Sequence, residues 1–169
     1  MTVESDDERW MRHAIELARH CPPSPDAFSV GAVVVVENEV VAQGYSRQDN
    51  PHDHAEEVAL RALRLAPGRE MTTQDDHIGG GDLTDATIYS TMEPCGERAS
   101  RPIPCAQLII QSGLTRVVYA VGEPTTFVAA PRGAQLLREA GLTVVYLPEL
   151  AKAAREVSRP IMLVCRICL

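Results

Sequence analysis

The sequence predicts an α/β sandwich of three layers, a mixed five-stranded central sheet with helices on both faces. Three observations predict it. Two β-branched runs adjoin early in the chain. From Thr87 onward, strand-like and helix-like segments alternate. Gly113 and Gly141 each stand just past a helical segment. Alternation of strand and helix implies parallel pairing through crossovers, and the early pair implies a hairpin, so the sheet is mixed with a mainly parallel second half.

The elements follow in order. Ser5-Asp6-Asp7-Glu8 reads as a capping box, with Trp10, Ala14, Leu17 and Ala18 at helical spacing behind it. Cys21-Pro22-Pro23-Ser24-Pro25 ends that helix, because proline removes a donor and disfavours the helical region before it. Val30 to Val36 and Val40 to Ala42 flank Glu37-Asn38-Glu39 as a hairpin, their unbroken apolar character suggesting cover on both faces. A second helix fits Asp53 to Leu65 and ends at Pro67-Gly68. Residues 67–86, with Gly79-Gly80-Gly81, carry no periodicity and read as a mobile surface loop. Strand Thr87–Thr91, helix Ala106–Gln111, strand Arg116–Val121, helix Gly133–Glu139 and strand Thr143–Leu147 complete the alternation. A C-terminal helix and an apolar tail, Ile161 to Leu169, occupy 148–169.

With no linker or internal repeat, the 169 residues read as one domain with a core over about 10–147. Composition is ordinary for a globular chain, with 45% hydrophobic and 23% charged residues. No apolar run is long enough to span a bilayer, and acidic Glu4, Asp6, Asp7 and Glu8 are the opposite of a basic leader. The expectation is a cytoplasmic protein with no membrane partner. Sixteen basic against 23 acidic residues give a net charge of −7. Such a surface repels a phosphate backbone, which disfavours nucleic acid as a partner and leaves room for a small phosphorylated ligand.

Five cysteines, Cys21, Cys95, Cys105, Cys165 and Cys168, are too few and odd in number for a disulfide framework. Two of them have suitable company. His54-Ala55-Glu56 opens the second helix, and Pro94-Cys95 follows a strand, with Cys105 ten positions on at the next helix. One imidazole and two thiolates suit tetrahedral zinc with an open fourth position for water. Glu56, two residues from His54, is placed to move a proton without coordinating. The other reading of His54, Cys95 and Cys105 is a structural zinc site, which would want a fourth protein ligand and leave Glu56 without a role.

These residues resemble the zinc-dependent cytidine and nucleotide deaminase superfamily, whose signature is H-x-E followed by P-C-x-x-C. The chain departs from that signature, since nine residues, Gly-Glu-Arg-Ala-Ser-Arg-Pro-Ile-Pro, separate Cys95 from Cys105. A longer excursion is typical of the riboflavin-pathway pyrimidine deaminases. The fungal type of that group is resembled further at several places: Pro22-Pro23-Ser24-Pro25 with Phe28-Ser29-Val30-Gly31-Ala32, Gly44-Tyr45-Ser46-Arg47, Thr91-Met92-Glu93-Pro94-Cys95 with Glu97-Arg98, and Gly122-Glu123-Pro124 with Thr126-Phe127-Val128.

The resemblance implies a cytidine deaminase fold and hydrolytic deamination of 2,5-diamino-6-(ribitylamino)pyrimidin-4-one 5′-phosphate or its ribosyl counterpart. A nucleoside, nucleotide or base is the alternative substrate. It implies one zinc per chain held by His54, Cys95 and Cys105, a fourth ligand water, Glu56 as proton shuttle, and a homodimer. Nothing long enough for a reductase domain follows Leu147, so a stand-alone deaminase is expected. For the substrate, Arg98 and Arg101 between the thiolates, and Arg47 before the histidine, are candidates for the phosphate. Asn50 is a candidate for ring or sugar and equally a turn residue before Pro51. Glu123 and Thr125 follow a strand where the family contacts its substrate. Cys165-Arg166-Ile167-Cys168 has no partner pair and reads as part of the apolar tail; Cys21 reads as packing, and His52 as a neighbour of the site.

Overall fold

The computed structural model describes residues 4–66, 83–124 and 132–160. Helix α1 (Asp6–Ala18) starts at the expected capping box, in which the Ser5 side chain accepts the Glu8 N–H and Glu8 accepts the Ser5 N–H. Strands β1 (Gly31–Val36) and β2 (Glu39–Tyr45) form the hairpin. Its two turn residues, Glu37 and Asn38, have φ of 49° and 63°, the turn whose twist matches the flanking strands. Helix α2 (Ala55–Leu65) then leads to β3 (Thr87–Met92), α3 (Cys105–Gln111), β4 (Arg116–Val121), α4 (Gly133–Glu139), β5 (Thr143–Tyr146) and α5 (Ala151–Ser158). Gly113 and Gly141 follow α3 and α4 with φ of 81° and 90°, the left-handed caps expected of them.

The sheet runs β2-β1-β3-β4-β5. β1 is antiparallel to both β2 and β3, whereas β3, β4 and β5 are mutually parallel neighbours. Side chains alternate between two cores, as the two-residue period of a strand requires. Val34, Ile88 and Val117 face Leu60 and Leu63 of α2, Ile109 of α3 and Leu137 of α4. Val33, Tyr89 and Val118 face Trp10, Met11 and Ile15 of α1 and Ala151 and Ala154 of α5. The three layers and the mixed five-stranded sheet are those expected from sequence.

Two expectations need correction. β2 extends three residues beyond Ala42 and is an edge strand, with Glu39, Val40 and Gln43 exposed. An edge strand with one helix layer exposes alternate positions, so its apolar run did not mean cover on both faces. The surface loop assigned to 67–86 ends sooner, because Leu83 and Ala86 are 6% and 0% exposed and the Ala86 N–H closes a turn on Leu83 O. The rest of that segment, residues 67–82, lies outside the described residues, as do the apolar tail and Cys165 and Cys168. Among the described residues no helix is long and apolar enough to cross a membrane.

Candidate metal centre and cleft

Parallel β3 and β4 bring their C-terminal ends to one edge of the sheet, where open α/β folds place their sites. His54 is the extended N-cap of α2, Cys95 stands three residues past β3, and Cys105 is the first residue of α3. The chain therefore delivers the three side chains from two helix starts and one strand end. His54 Nδ1 lies 3.6 Å from Cys95 Sγ and 3.5 Å from Cys105 Sγ, and all three ligand atoms fall within 4.8 Å of one another. Cys95 and Cys105 are 7% and 0% exposed.

The two thiols act on each other's ionisation. The Cys105 side chain, hydrogen-bonded to Cys95, together with His54, holds Cys95 well below the usual thiol range despite burial. Cys105 is pushed up, first by that same bond to Cys95 and then by burial. Two buried thiolates this close need a cation between them. The donor set, N plus two S with no fourth protein ligand in the group, fits zinc with an open position.

Glu56 is the second residue of α2, 3% exposed, and its Oε1 accepts the Ser90 hydroxyl at 2.9 Å. Burial raises its pKa, opposed by the neighbouring His54 charge and by that hydroxyl. A carboxyl whose proton affinity is raised in this way can both take a proton and return it. The metal-site cavity, about 680 Å³, is lined on this side by His54, Glu56, Cys95 and Met92, and elsewhere by Phe28, His52, Arg98 and Glu123. Glu123 Oε2 is buried without a hydrogen-bond partner. Burial, then the negative Cys95, push its pKa up to about 7, against the Gly96 N–H that favours its charge.

The remaining sequence candidates divide by what holds them. Arg98 lines the cavity, yet its guanidinium is engaged with Glu57 at 2.9 Å and with the His52 carbonyl. Arg101 does not line it; it pairs with Asp53 at 2.9 Å and with Glu57 at 3.0 Å. Asn50 is exposed and outside the lining, its Oδ1 accepting the His52 N–H at 2.9 Å in a turn. Arg47 touches the cavity wall but donates to Pro22 O, Phe28 O and Ser29 Oγ, which fixes the 22–29 segment. Thr125, with Thr126 to Val128, lies outside the described residues.

Two functional groups escaped sequence reading. Ser90 is one; between Tyr89 and Thr91 in β3 nothing in the sequence set it apart. The other is the Asp53–Glu57 pair that flanks His54 and Glu56 and anchors both loop arginines.

Fold and centre together define an α/β protein in which His54, Cys95 and the buried carboxyl of Glu56 face one cavity, with Cys105 grouped beside them as a set able to hold a metal. The family model of the cytidine and deoxycytidylate deaminase zinc-binding region matches residues 4–121, and the chain belongs to that family. The diaminohydroxyphosphoribosylamino-pyrimidine deaminase of Schizosaccharomyces pombe is 36% identical over 138 residues, covering 82% of this chain and 31% of that protein. The riboflavin biosynthesis protein RibD of Bacillus amyloliquefaciens is 37% identical over 142 residues, with 82% and 32% covered. The chain thus spans about a third of the length of these curated relatives. The crystal structure of Aspergillus oryzae Rib2 deaminase in complex with DARIPP superposes with a TM-score of 0.73 at 28% identity, covering 91% of this chain and 90% of that one. The cytidine deaminase fold expected from sequence is the fold observed.

Proposed function

We propose that the chain is a zinc-dependent deaminase of riboflavin biosynthesis. It converts 2,5-diamino-6-(ribitylamino)pyrimidin-4-one 5′-phosphate and water to 5-amino-6-(ribitylamino)uracil 5′-phosphate and ammonia. The observation that carries the reading is Glu56, buried beside His54, Cys95 and Cys105, held by Ser90, and facing the same cavity as Glu123. Relatives named for this pathway support the substrate, as does the DARIPP complex of the Aspergillus oryzae protein.

His54, Cys95 and Cys105 would hold the zinc, which supplies Lewis acidity that lowers the pKa of water towards ~7. Glu56 accepts the proton that water loses and delivers it to a ring nitrogen, then takes the proton of the new hydroxyl and gives it to the departing amine. One C–O bond forms, one C–N bond breaks, and ammonia leaves. Glu123, with an unpartnered buried oxygen, accepts from the amino hydrogens of the ring. Arg98 lines the cavity and stands, with Thr125, as a further substrate contact, whereas Arg101 and Asn50 act from outside the lining. A cytoplasmic homodimer completes the proposal; light scattering on the purified chain tests the oligomer.

Ammonia release on the ribitylaminopyrimidine phosphate, its ribosyl counterpart, dCMP and cytidine, measured in parallel, tests the substrate. Activity on cytidine alone overturns it. Glu56→Gln should keep zinc and lose turnover, and full turnover in that variant overturns the role of Glu56.

A further inference from the structure

A second cavity, about 600 Å³, adjoins the metal-site cavity and shares Phe28, Met92, Glu123 and Pro124 with it. Its far wall is made by Tyr119, Tyr146, Arg155, Ser158 and Arg159. We propose that this wall binds the phosphate monoester of the substrate, with Arg155 and Arg159 as its two ligands. The inference rests on the deaminase reading above.

Arg155 is in the last turn of α5 and Arg159 is the residue that caps it, four positions on. Both are exposed, and no hydrogen bond or ion pair with a described residue occupies either guanidinium. This contrasts with the arginines nearer the metal. The guanidinium of Arg47 is engaged by main-chain carbonyls, and those of Arg98 and Arg101 are engaged by carboxylates. A guanidinium already paired with a carboxylate has little left for a phosphate, whereas a free one offers a bidentate fork.

The ordinary account of two arginines at a helix end is that cations are stabilised by the carbonyl end of the dipole. It does not account for Ser158. That residue is 2% exposed, lines the cavity, and its hydroxyl is buried with no partner. Buried hydroxyls are rarely left so, which marks a place where a ligand or its water completes the bonding. Ser158 is also fixed relative to the cleft, because its carbonyl accepts the Ser29 N–H at 3.1 Å just before β1.

The rest of the wall fits the remainder of such a ligand. The Tyr119 and Tyr146 rings, 5.3 Å apart between centroids, offer ring faces and phenol hydroxyls to a polyhydroxyl chain. Glu123 lines both cavities, so a ring held at Glu123 has the wall of Arg155 and Arg159 open to its substituents through the adjoining cavity. In a chain of net charge −7, a dianion needs such a local pair of cations.

The test compares the wild type with the R155A/R159A double variant on the ribitylaminopyrimidine with and without its 5′-phosphate. The ratio of kcat/KM for the phosphorylated over the dephosphorylated compound should fall by about 10–100-fold, the loss expected for charge-assisted bonds. An unchanged ratio overturns the proposal. Should the wild type turn over neither compound, the deaminase reading fails on its own. Calorimetric titration with ribose 5-phosphate then decides the site: binding abolished by R155A/R159A supports it, and binding unaffected or absent overturns it.

Discussion

Arg101 Nη2 lies 2.9 Å from Asp53 Oδ1, so the excursion between the two thiolates is latched to the residue immediately before the metal-site histidine. The Asp53 side chain has no exposed surface, and it accepts a second guanidinium, Arg61, at 3.2 Å. Arg101 reaches Glu57 as well, at 3.0 Å. The segment that carries His54 is thereby tied to the loop between Cys95 and Cys105.

Arg101→Ala should therefore weaken zinc retention by about 10–100-fold, the usual cost of losing a group that orients a metal ligand. Chelator competition measures it. Asp53→Asn should act in the same direction, because a neutral amide cannot pair with two guanidiniums. Stripping the metal from the wild type should lower its Tm, since the ligands close a site that only the folded chain possesses.

Ser90→Ala removes the hydroxyl that fixes Glu56 Oε1. A hydrogen bond to a charged group contributes about 1.5–3 kcal/mol, so kcat should drop by roughly tenfold or more while zinc content stays whole. Metal analysis beside steady-state ammonia release checks both halves. Loss of zinc in this variant would contradict a role exerted through Glu56.

Acid stability should depend on Asp7. It bonds both nitrogens of the Arg116 guanidinium at 2.8 and 2.7 Å and accepts the Tyr89 hydroxyl at 2.9 Å, joining α1 to β3 and β4. The Arg116 bonds, opposed by partial burial and helped by Tyr89, hold its pKa below the ordinary carboxylate value. A depressed folded pKa means that this contribution is present above the unfolded pKa of ~4 and is lost as pH falls through the lower, folded value. Asp7→Asn should lower Tm at neutral pH and converge with the wild type in strong acid. Melting curves between about pH 7 and 2 test the convergence.

Gly133 begins α4, and a Cβ built there would stand 1.7 Å from the Pro94 carbonyl oxygen. That neighbour is backbone, one residue from a thiolate ligand, so it cannot swing aside. Gly133→Ala should cost about 1–3 kcal/mol as overpacking, several degrees in Tm, and should loosen zinc too. Calorimetry with metal analysis separates this from a purely structural defect, which would leave zinc affinity intact.

The local signals were legible in the sequence. Ser5 with Glu8, the Glu37-Asn38 turn, and the glycines after α3 and α4 each have a chemistry that acts within a few residues, and each appears where expected. His54, Cys95 and Cys105 were legible because donor type and the element on which each falls are both written locally. The edge position of β2 was not, because exposure there depends on strand order, a property of the whole sheet. The partners of the arginines were hidden for a similar reason. Arg98 and Arg101 look like ligands for an anion until the fold sets Glu57 and Asp53 beside them, 41 and 48 positions away in the chain. Nothing in the sequence singles out Arg155 and Arg159, which α5 and its cap carry to the second cavity.

The span from Cys95 to Cys105 starts and finishes at nearly one point in space. The Ala106 N–H donates to Cys95 O at 3.1 Å, and the Cys105 N–H to Cys95 Sγ at 3.4 Å. Those two bonds make a stem, and residues 96–104 form a bulb on it. A bulb can gain or lose residues while the stem and the Arg98 and Arg101 contacts stay put, so the spacing between the two cysteines is free to drift. The nine-residue spacing lengthens the bulb without lengthening the stem.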